Sequence, residues 1–156
     1  MSDSSKYLSH VSPSGEARMV DVSGKKATSR IARAEAWVEL EESVAEKIRQ
    51  TGGVDKGPVL ETARLAGIMA AKKTAELIPL CHPLPLDHVD VEAQWQDNRL
   101  RWIGSASCRA GTGVEMEALT AVSVAALTVY DMVKSAGKQT KIGPIRLLEK
   151  RGGKSG

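Results

Sequence analysis

The sequence predicts a single α+β domain in which helices cover one face of an antiparallel sheet. Residues 113–134 have the period of a long amphipathic helix, residues 89–108 alternate as two strands around a turn, and residues 32–40 alternate as a further strand. Strands and helices in this order are typical of a two-layer sandwich. The chain has 156 residues, which is enough for one domain with a real core.

The segment from Gly113 to Lys134 is the longest predicted helix. Its apolar residues recur at steps of three and four and form a face suited to packing on a core: Met116, Leu119, Val122, Ala126, Val129 and Val133. The opposite side carries Ala121, Val124 and Leu127 instead of the polar residues of a solvated surface. We therefore expect this helix to be covered on both sides.

Two acidic residues, Glu117 and Asp131, stand near opposite ends of this helix. They lie roughly 21 Å apart along the axis and within about 40° of each other in rotation. One nucleotide-sized ligand would not touch both, so if both are functional each belongs to a different copy of a site that another subunit completes. The alternative is local: Asp131 pairs with Lys134 at i, i+3, and Glu117 interacts with the positive end of the helix dipole.

Turn and composition signals organise the first third of the chain. Residues 1–13 are polar and rich in Ser, so we expect a flexible N-terminal arm before a domain that spans residues 14–149. A strand is predicted over residues 17–22. A short helix over residues 41–50 is expected to end at the glycines of residues 51–53.

Proline positions define the middle of the chain. A second helix is predicted from Pro58 to Leu77, because Pro suits a first helical turn. Pro79 and Pro83 then exclude helix and hold the residues between them in an extended or turn conformation. Cys81 and His82, which lie between these prolines, are therefore expected to be rigidly placed.

The last elements are a hairpin, the long helix and a final strand. The hairpin over residues 89–108 is predicted to turn at residues 96–98, a loop longer than the minimum. A last strand is predicted over residues 142–148. Residues 150–156 read as a Gly-rich basic C-terminal tail.

The composition argues against several classes of protein. The net charge of +3 is weak support for a nucleic-acid footprint, and the absence of Phe does not favour a base-stacking surface. Two cysteines without a CxxC spacing indicate a reduced cytoplasmic protein rather than a disulfide scaffold. No apolar segment reads as a signal or a membrane anchor, so we expect no membrane partner. Because the net charge is only mildly positive, we also expect no nucleic-acid partner.

Three segments carry reactive groups that local folding does not require. The first is Lys56-Gly57 before a predicted helix, where a cation and free backbone N–H groups would hold a phosphate; the alternative is a lysine in solvent. The second is the tail, in which Lys150 and Lys154 flank glycines suited to wrapping an oligophosphate; the alternative is a frayed terminus. The GxxxxGK[ST] frame of a P-loop is absent from this tail.

The third segment is Cys81-His82, with His88 six residues later. The spacing matches no usual zinc pattern, so no metal site is predicted. Adjacent residues in an extended segment point in different directions, which disfavours Cys81 as a nucleophile activated by His82. His82 as a general acid or base, or as a phosphate donor, is the better functional interpretation, and a structural histidine is the alternative.

Several runs of this sequence resemble one enzyme family over residues 8–156. They are MVDVS (19–23), KG (56–57), AGIMAAKKT (67–74), LIPLCHPL (77–84), TGVEMEALTAVSVAALTVYDM (112–132) and IGPIRLLEKRGGKSG (142–156). The family is cyclic pyranopterin monophosphate synthase, the MoaC proteins of molybdenum cofactor biosynthesis. The LIPLCHPL and GVEMEALT…YDM blocks are the specific ones.

The resemblance implies a fold, an assembly and a reaction. The subunit would be ferredoxin-like and would form a homohexamer, a trimer of dimers, with active sites at subunit interfaces. The enzyme would be a cytoplasmic lyase that converts 3′,8-cyclo-7,8-dihydro-GTP to cyclic pyranopterin monophosphate and releases pyrophosphate. No cofactor is implied, although Mg²⁺ would be a natural companion of the triphosphate.

The resemblance also implies roles for named residues. Asp131 would be the catalytic acid or base with Lys134 beside it, and partial burial would lower the pKa of Lys134. The positions that match substrate-binding residues are Leu80, Cys81, His82, Met116, Glu117 and, in the same acidic block, Glu115. The candidates for holding the triphosphate are Lys56, Lys150 and Lys154.

The departures from the family pattern are few. Pro58 stands where an acidic residue is expected after Lys-Gly, which affects how Lys56 is presented, and the loop of residues 135–141 is unlike the family's. The alternative function, from a different class, is a non-catalytic oligomeric nucleotide-binding protein that uses the same basic groups.

Overall fold

A computed structural model describes residues 11–154 of the chain. Residues 1–10 of the predicted arm and residues 155–156 of the predicted tail lie outside this range. The elements in chain order are β1 (Thr28–Glu39), α1 (Glu42–Thr51), β2 (Gly53–Val54), β3 (Gly57–Pro58), α2 (Val59–Lys72), α3 (Thr74–Leu77), β4 (Leu86–Gln96), β5 (Arg99–Ala110), α4 (Glu115–Val133) and β6 (Lys141–Arg151).

The main sheet has four antiparallel strands in the order β4-β5-β1-β6. The helices α2 and α4 pack together on one face of it, with α4 over β1, β5 and β6 and α2 over β4. Two βαβ halves are thus interleaved as in a ferredoxin-like fold, which confirms the predicted fold class. The strands β2 and β3 form a separate two-stranded hairpin beside the start of α2.

Small residues allow the helices to approach the sheet and each other closely. The inner face of β1 consists of Ala32, Ala34, Ala36 and Val38, all fully buried, so the alternation predicted a strand correctly despite the Ala-rich composition. A Cβ added at Gly67 of α2 would lie only 2.7 Å from the carbonyl oxygen of Ala121. Backbone contact of this kind fixes how α2 and α4 cross.

The buried face of α4 is rotated relative to the predicted one. Val122, Val129 and Val133 are fully buried, as expected, but Ala121 is buried too, because α2 covers that side. Met116, assigned to the inner face, is 36% exposed. The predicted cover on the outer side is incomplete within one subunit. Leu127 and Tyr130 remain 58% and 41% exposed.

Four further expectations about secondary structure are wrong. The predicted strand at residues 17–22 is an extended segment with one isolated bridge between Val11 and Ala17. The hairpin loop is the two-residue minimum, Asp97-Asn98, because Asp97 adopts a positive φ of 54°.

The other two errors concern element ends. The predicted helix to Leu77 breaks at Lys73, where α2 gives way to α3. The last strand continues past residue 148 to Arg151, so that Lys150 lies opposite Ala32 in the sheet instead of in a loose tail. Pairing with the long strand β1 orders residues whose composition alone indicates a terminus.

The outer face of the sheet carries a buried charge. Glu35 of β1 is 0% exposed and forms ion pairs with Arg101 of β5 and Arg146 of β6. Burial alone would raise the pKa of Glu35, but its hydrogen bonds with the two arginines hold it below its ordinary value. The strands β5, β1 and β6 are thereby tied together on the face without helices.

Candidate active site

The candidate residues lie in two clusters at opposite ends of α4. The cluster at the beginning of α4, which we call the ring cavity with its basic cleft, contains eight of the residues predicted from sequence: Leu80, Cys81, His82, Glu115, Met116, Glu117, Lys150 and Lys154. The cluster at the end of α4, which we call the acid-base cluster, contains the other three: Lys56, Asp131 and Lys134. Lys56, predicted to bind phosphate with Lys150 and Lys154, therefore lies apart from them in one subunit.

The ring cavity is about 280 Å³ in volume and has walls of mixed apolar and polar character. Val20, Val22, Leu80, Leu84 and Met116 contribute the apolar walls. Polar groups enter from His82, Glu115 and Glu117, among others. A concave site in which polar groups converge beside apolar side chains is typical of a small-molecule site.

The turn that carries Leu80, Cys81 and His82 is anchored at two points. The Cys81 N–H donates to the Ile78 carbonyl oxygen across 3.1 Å, and His82 Nε2 lies 2.6 Å from the carbonyl oxygen of Val20. These contacts hold the turn against the extended segment 18–22, in agreement with the rigid placement expected from the prolines. One ring nitrogen of His82 is engaged by this contact, and the residue also lines the ring cavity.

Burial makes Cys81 a poor nucleophile. It raises the pKa of the Cys81 thiol, and the charge of Glu117 raises it further. A thiol with a raised pKa contains little thiolate at neutral pH. The geometry agrees with the prediction that disfavoured Cys81 as a nucleophile.

Glu117 is the most perturbed carboxyl group of the site. Glu117 is only 4% exposed. Burial raises the pKa of its carboxyl group to about 7, and the charge of Glu115 makes a smaller contribution in the same direction. Its Oε2 atom is buried and has no hydrogen-bond partner among residues 11–154. Sequence analysis assigned Glu117 to the site but gave no reason to expect this protonation behaviour.

The basic cleft adjoins the ring cavity and shares Lys25, Thr112, Gly113 and Glu115 with it. It has a volume of about 720 Å³. Lys150 and Lys154, predicted as phosphate ligands, both line it, and Lys150 Nζ lies 3.3 Å from Glu115 Oε1. The cleft can therefore hold an anionic group that extends from a ring in the cavity.

Three further cations line this cleft and were not predicted from the sequence: Lys25, Lys26 and Arg30. Lys25 and Lys26 follow a glycine in a turn, and the Arg30 guanidinium donates from Nε to the Ala110 carbonyl oxygen across 3.3 Å. The Ser-Gly-Lys-Lys turn of residues 23–26 was visible as a signal. Its proximity to the C-terminal residues depends on the pairing of β1 with β6.

The acid-base cluster is exposed and tightly paired. Lys134 Nζ lies 2.9 Å from Asp131 Oδ1, and Lys56 Nζ donates to the backbone oxygen of Asp131 across 2.8 Å. The bond and charge of Lys134 lower the pKa of Asp131, and Asp131 in turn raises the pKa of Lys134. The expectation that partial burial lowers the pKa of Lys134 is therefore wrong within one subunit, because the side chain is 58% exposed and paired.

A sequence model of the MoaC family matches residues 19–153. The chain belongs to the MoaC family. This assignment confirms the resemblance drawn from the LIPLCHPL and GVEMEALT…YDM blocks and covers every residue of both clusters except Lys154. MoaC proteins are enzymes of molybdenum cofactor biosynthesis that act on a small-molecule substrate derived from GTP.

A MoaC protein is a soluble biosynthetic enzyme, and the apolar helix α4 is consistent with this property. The helix α4 is long and apolar enough to cross a membrane by length and composition, but ten of its residues are buried inside the fold. A core helix of a soluble protein has these properties.

Residues 11–154 contain no group of three or more His, Cys, Asp or Glu side chains arranged to hold a metal ion. The prediction that the enzyme carries no metal or other cofactor stays a prediction.

Proposed function

We propose that this protein is a cytoplasmic lyase that converts 3′,8-cyclo-7,8-dihydro-GTP to cyclic pyranopterin monophosphate and releases pyrophosphate. The observation that carries the proposal is the division of the site along α4. One end offers a cavity with mixed apolar and polar walls and a basic cleft, and the other offers a paired carboxylate and ammonium. A ring with a triphosphate fits the first end, and the proton transfers of a rearrangement fit the second.

We propose one orientation for the ligand in the ring cavity and basic cleft. Its guanine-derived ring would lie between the apolar walls near His82 and Glu117, and its triphosphate would extend into the cleft. The cations available there are Lys25, Lys26, Arg30, Lys150 and Lys154. Their charge would stabilise the pyrophosphate as it leaves and the cyclic phosphate as it closes.

The acid-base cluster supplies the proton transfers. Asp131 is held as the carboxylate by Lys134, so it is available as a base, and the Lys134 ammonium is available as an acid or as a counter-charge for an anionic intermediate. Lys56 adds a second positive charge beside Asp131. This cluster needs a substrate within hydrogen-bonding distance, and its own subunit's ring cavity is not close enough.

The distance along α4 therefore supports a site shared between subunits. Glu117 and Asp131 are separated by roughly 21 Å along the helix, more than one substrate spans. The outer side of α4 carries exposed apolar side chains at Met116, Leu127 and Tyr130, which suit contact with another subunit. We propose that the acid-base cluster of one subunit completes the ring cavity of a neighbour in a homohexamer built as a trimer of dimers.

The test is a product assay with the purified protein. Incubation with 3′,8-cyclo-7,8-dihydro-GTP is expected to give pyrophosphate and the pterin in equal amounts, with EDTA added in parallel to examine the need for Mg²⁺. An oligomeric nucleotide-binding protein would retain the ligand and give neither product. That outcome, with the protein assembled and the ligand bound, would overturn the proposed reaction.

A further inference from the structure

The first turn of α4 holds two carboxyl groups in different surroundings. Glu115 is 27% exposed at its side chain and has a cation, Lys150, 3.3 Å away. Glu117, which lines the ring cavity, is 4% exposed, forms no ion pair with any residue from 11 to 154, and leaves its Oε2 atom buried without a hydrogen-bond partner among those residues. Two acids two residues apart in the same helical turn are thus placed in different electrostatic surroundings.

We propose that Glu117 receives the ligand as the neutral carboxylic acid and donates its O–H to an acceptor atom of the ligand's ring. The inference rests on the proposed function in one respect, since it takes the ligand to be a guanine-derived ring with a triphosphate. A neutral acid has one donor, whereas an ionised one has none. The cavity would then recognise a carbonyl oxygen or an unprotonated ring nitrogen at this point.

The charged groups around Glu117 do not compensate an anion there. The charged and titratable groups near Glu117 line the ring cavity, line a second cavity that Glu117 also borders, or lie on the neighbouring strand β5. They are Lys25, Lys72, Glu76, Cys81, His82, Cys108 and Glu115. Burial is the largest influence on the pKa of the Glu117 carboxyl and raises it, a hydrogen bond to the residue's own backbone lowers it, and the smaller effect of the Glu115 charge raises it. Burial outweighs the backbone hydrogen bond, so the neutral form is favoured.

The ligand and the proposed neighbouring subunit have opposite effects on the ionisation of the Glu117 carboxyl group. The partner subunit's Lys56, Asp131 and Lys134 carry formal charges that sum to +1, which would favour the ionised form. A triphosphate brings three to four negative charges into the adjoining cleft, which disfavours it. The ligand therefore adds more negative charge than the partner's cluster adds positive charge, and Glu117 is expected to keep or gain its proton when the site fills.

The experiment measures proton uptake with GTP as a stable probe of the same ring and triphosphate. Calorimetric titrations of the intact assembly at pH 8, in buffers of different ionisation enthalpy, count the protons bound per GTP. Wild-type protein is expected to take up close to one proton more than Glu117→Gln, which cannot titrate at this position. Its affinity is expected to fall up to tenfold per pH unit above pH 7, while that of Glu117→Gln stays nearly level.

Glu115→Gln is the matched control, because it removes a neighbouring carboxyl group but leaves Glu117 in place; the extra proton should persist in it. Release of protons by wild-type protein, equal proton counts in wild-type and Glu117→Gln, or no GTP binding at pH 6 would each overturn the proposal. A second measurement follows the Glu117 carboxyl carbon by NMR in the ligand-free assembly, where a titration midpoint near that of an ordinary glutamate would overturn it as well. Neither readout depends on turnover, so failure of the product assay and failure of this inference are separate results.

Discussion

Replacing Glu117 by Gln is expected to stabilise the folded protein, and to do so more strongly as the pH rises. The substitution keeps the shape of the side chain but removes its ability to ionise. Burial raises the pKa of Glu117 from the ordinary 4.5 to about 7. Each pKa unit corresponds to about 1.4 kcal/mol, so ionising this group in the folded state costs about 3 kcal/mol more than in the unfolded chain.

The direction of this pH dependence follows from the pH at which Glu117 loses its proton in the unfolded and in the folded state. Below the unfolded pKa, both states of the wild-type protein are neutral at this position and no penalty exists. Between the unfolded and the folded pKa, the unfolded chain ionises while the native protein keeps its proton, so stability falls as pH rises. Above pH 7 both states are ionised and the penalty is constant. Glutamine does not titrate, so the advantage of the variant should grow from under ~1 kcal/mol at pH 5 to about 3 kcal/mol at pH 8.

Urea unfolding at a series of pH values, with equal subunit concentrations, measures this difference. The matched control is Glu115→Gln, whose carboxylate is partly exposed and paired with Lys150. Its difference from wild type is expected to stay small and to change little between pH 5 and pH 8. A constant difference between Glu117→Gln and wild type across this range would refute the argument that burial holds a proton on Glu117.

Three further predictions concern the acid-base cluster, the shared site and the helix crossing. Asp131→Asn and Lys134→Ala should each lower turnover by about 10²-fold or more without changing the size of the assembly, as judged by product assay and light scattering; near-normal rates would remove both residues from the mechanism. Mixing Glu117→Ala with Asp131→Asn subunits after dissociation and reassembly should recover part of the activity, since some interfaces then combine two intact halves; no recovery in demonstrably mixed oligomers would contradict a shared site. Gly67→Ala should destabilise the fold by about 1–3 kcal/mol in urea unfolding, because the new Cβ would lie 2.7 Å from the backbone oxygen of Ala121, whereas Gly24→Ala, with open space around it, should have little effect; equal stability of the two variants would contradict the close crossing.

Local patterns were sufficient for most of the fold. The alternation in residues 32–40 identified β1 because one side of a strand must be apolar, and the three-to-four spacing after Gly113 identified α4 for the same reason at a different period. The resemblance supplied the residue identities in both clusters. The roughly 21 Å between Glu117 and Asp131 followed from helix geometry alone, before any tertiary contact was known.

The errors have different physical causes. Met116 was wrongly assigned to the buried inner face of α4, and Ala121 is covered by α2 of the same subunit, because both sides of that helix are apolar in sequence and only the position of α2 decides which residues are buried. The segment 17–22 has strand-like residues but no neighbouring strand to pair with over its length. Asp97 closes the hairpin in two residues by adopting a positive φ, which few residues other than glycine adopt.

The sequence by itself determined the elements, the family and the division of the reactive groups between two ends of one helix, because these depend on residue type and spacing along the chain. Tertiary structure decided the electrostatics at the beginning of α4, whereas the Asp131–Lys134 pair at its end follows from i, i+3 spacing. The pairing of β1 with β6 brings Lys150 to Glu115 and to the cleft of Lys25, Lys26 and Arg30, and the packing around Glu117 withholds both water and a counter-ion from it. A pKa depends on every charge and every solvent-excluding atom within a few ångströms, and those neighbours come from parts of the chain that are distant in sequence.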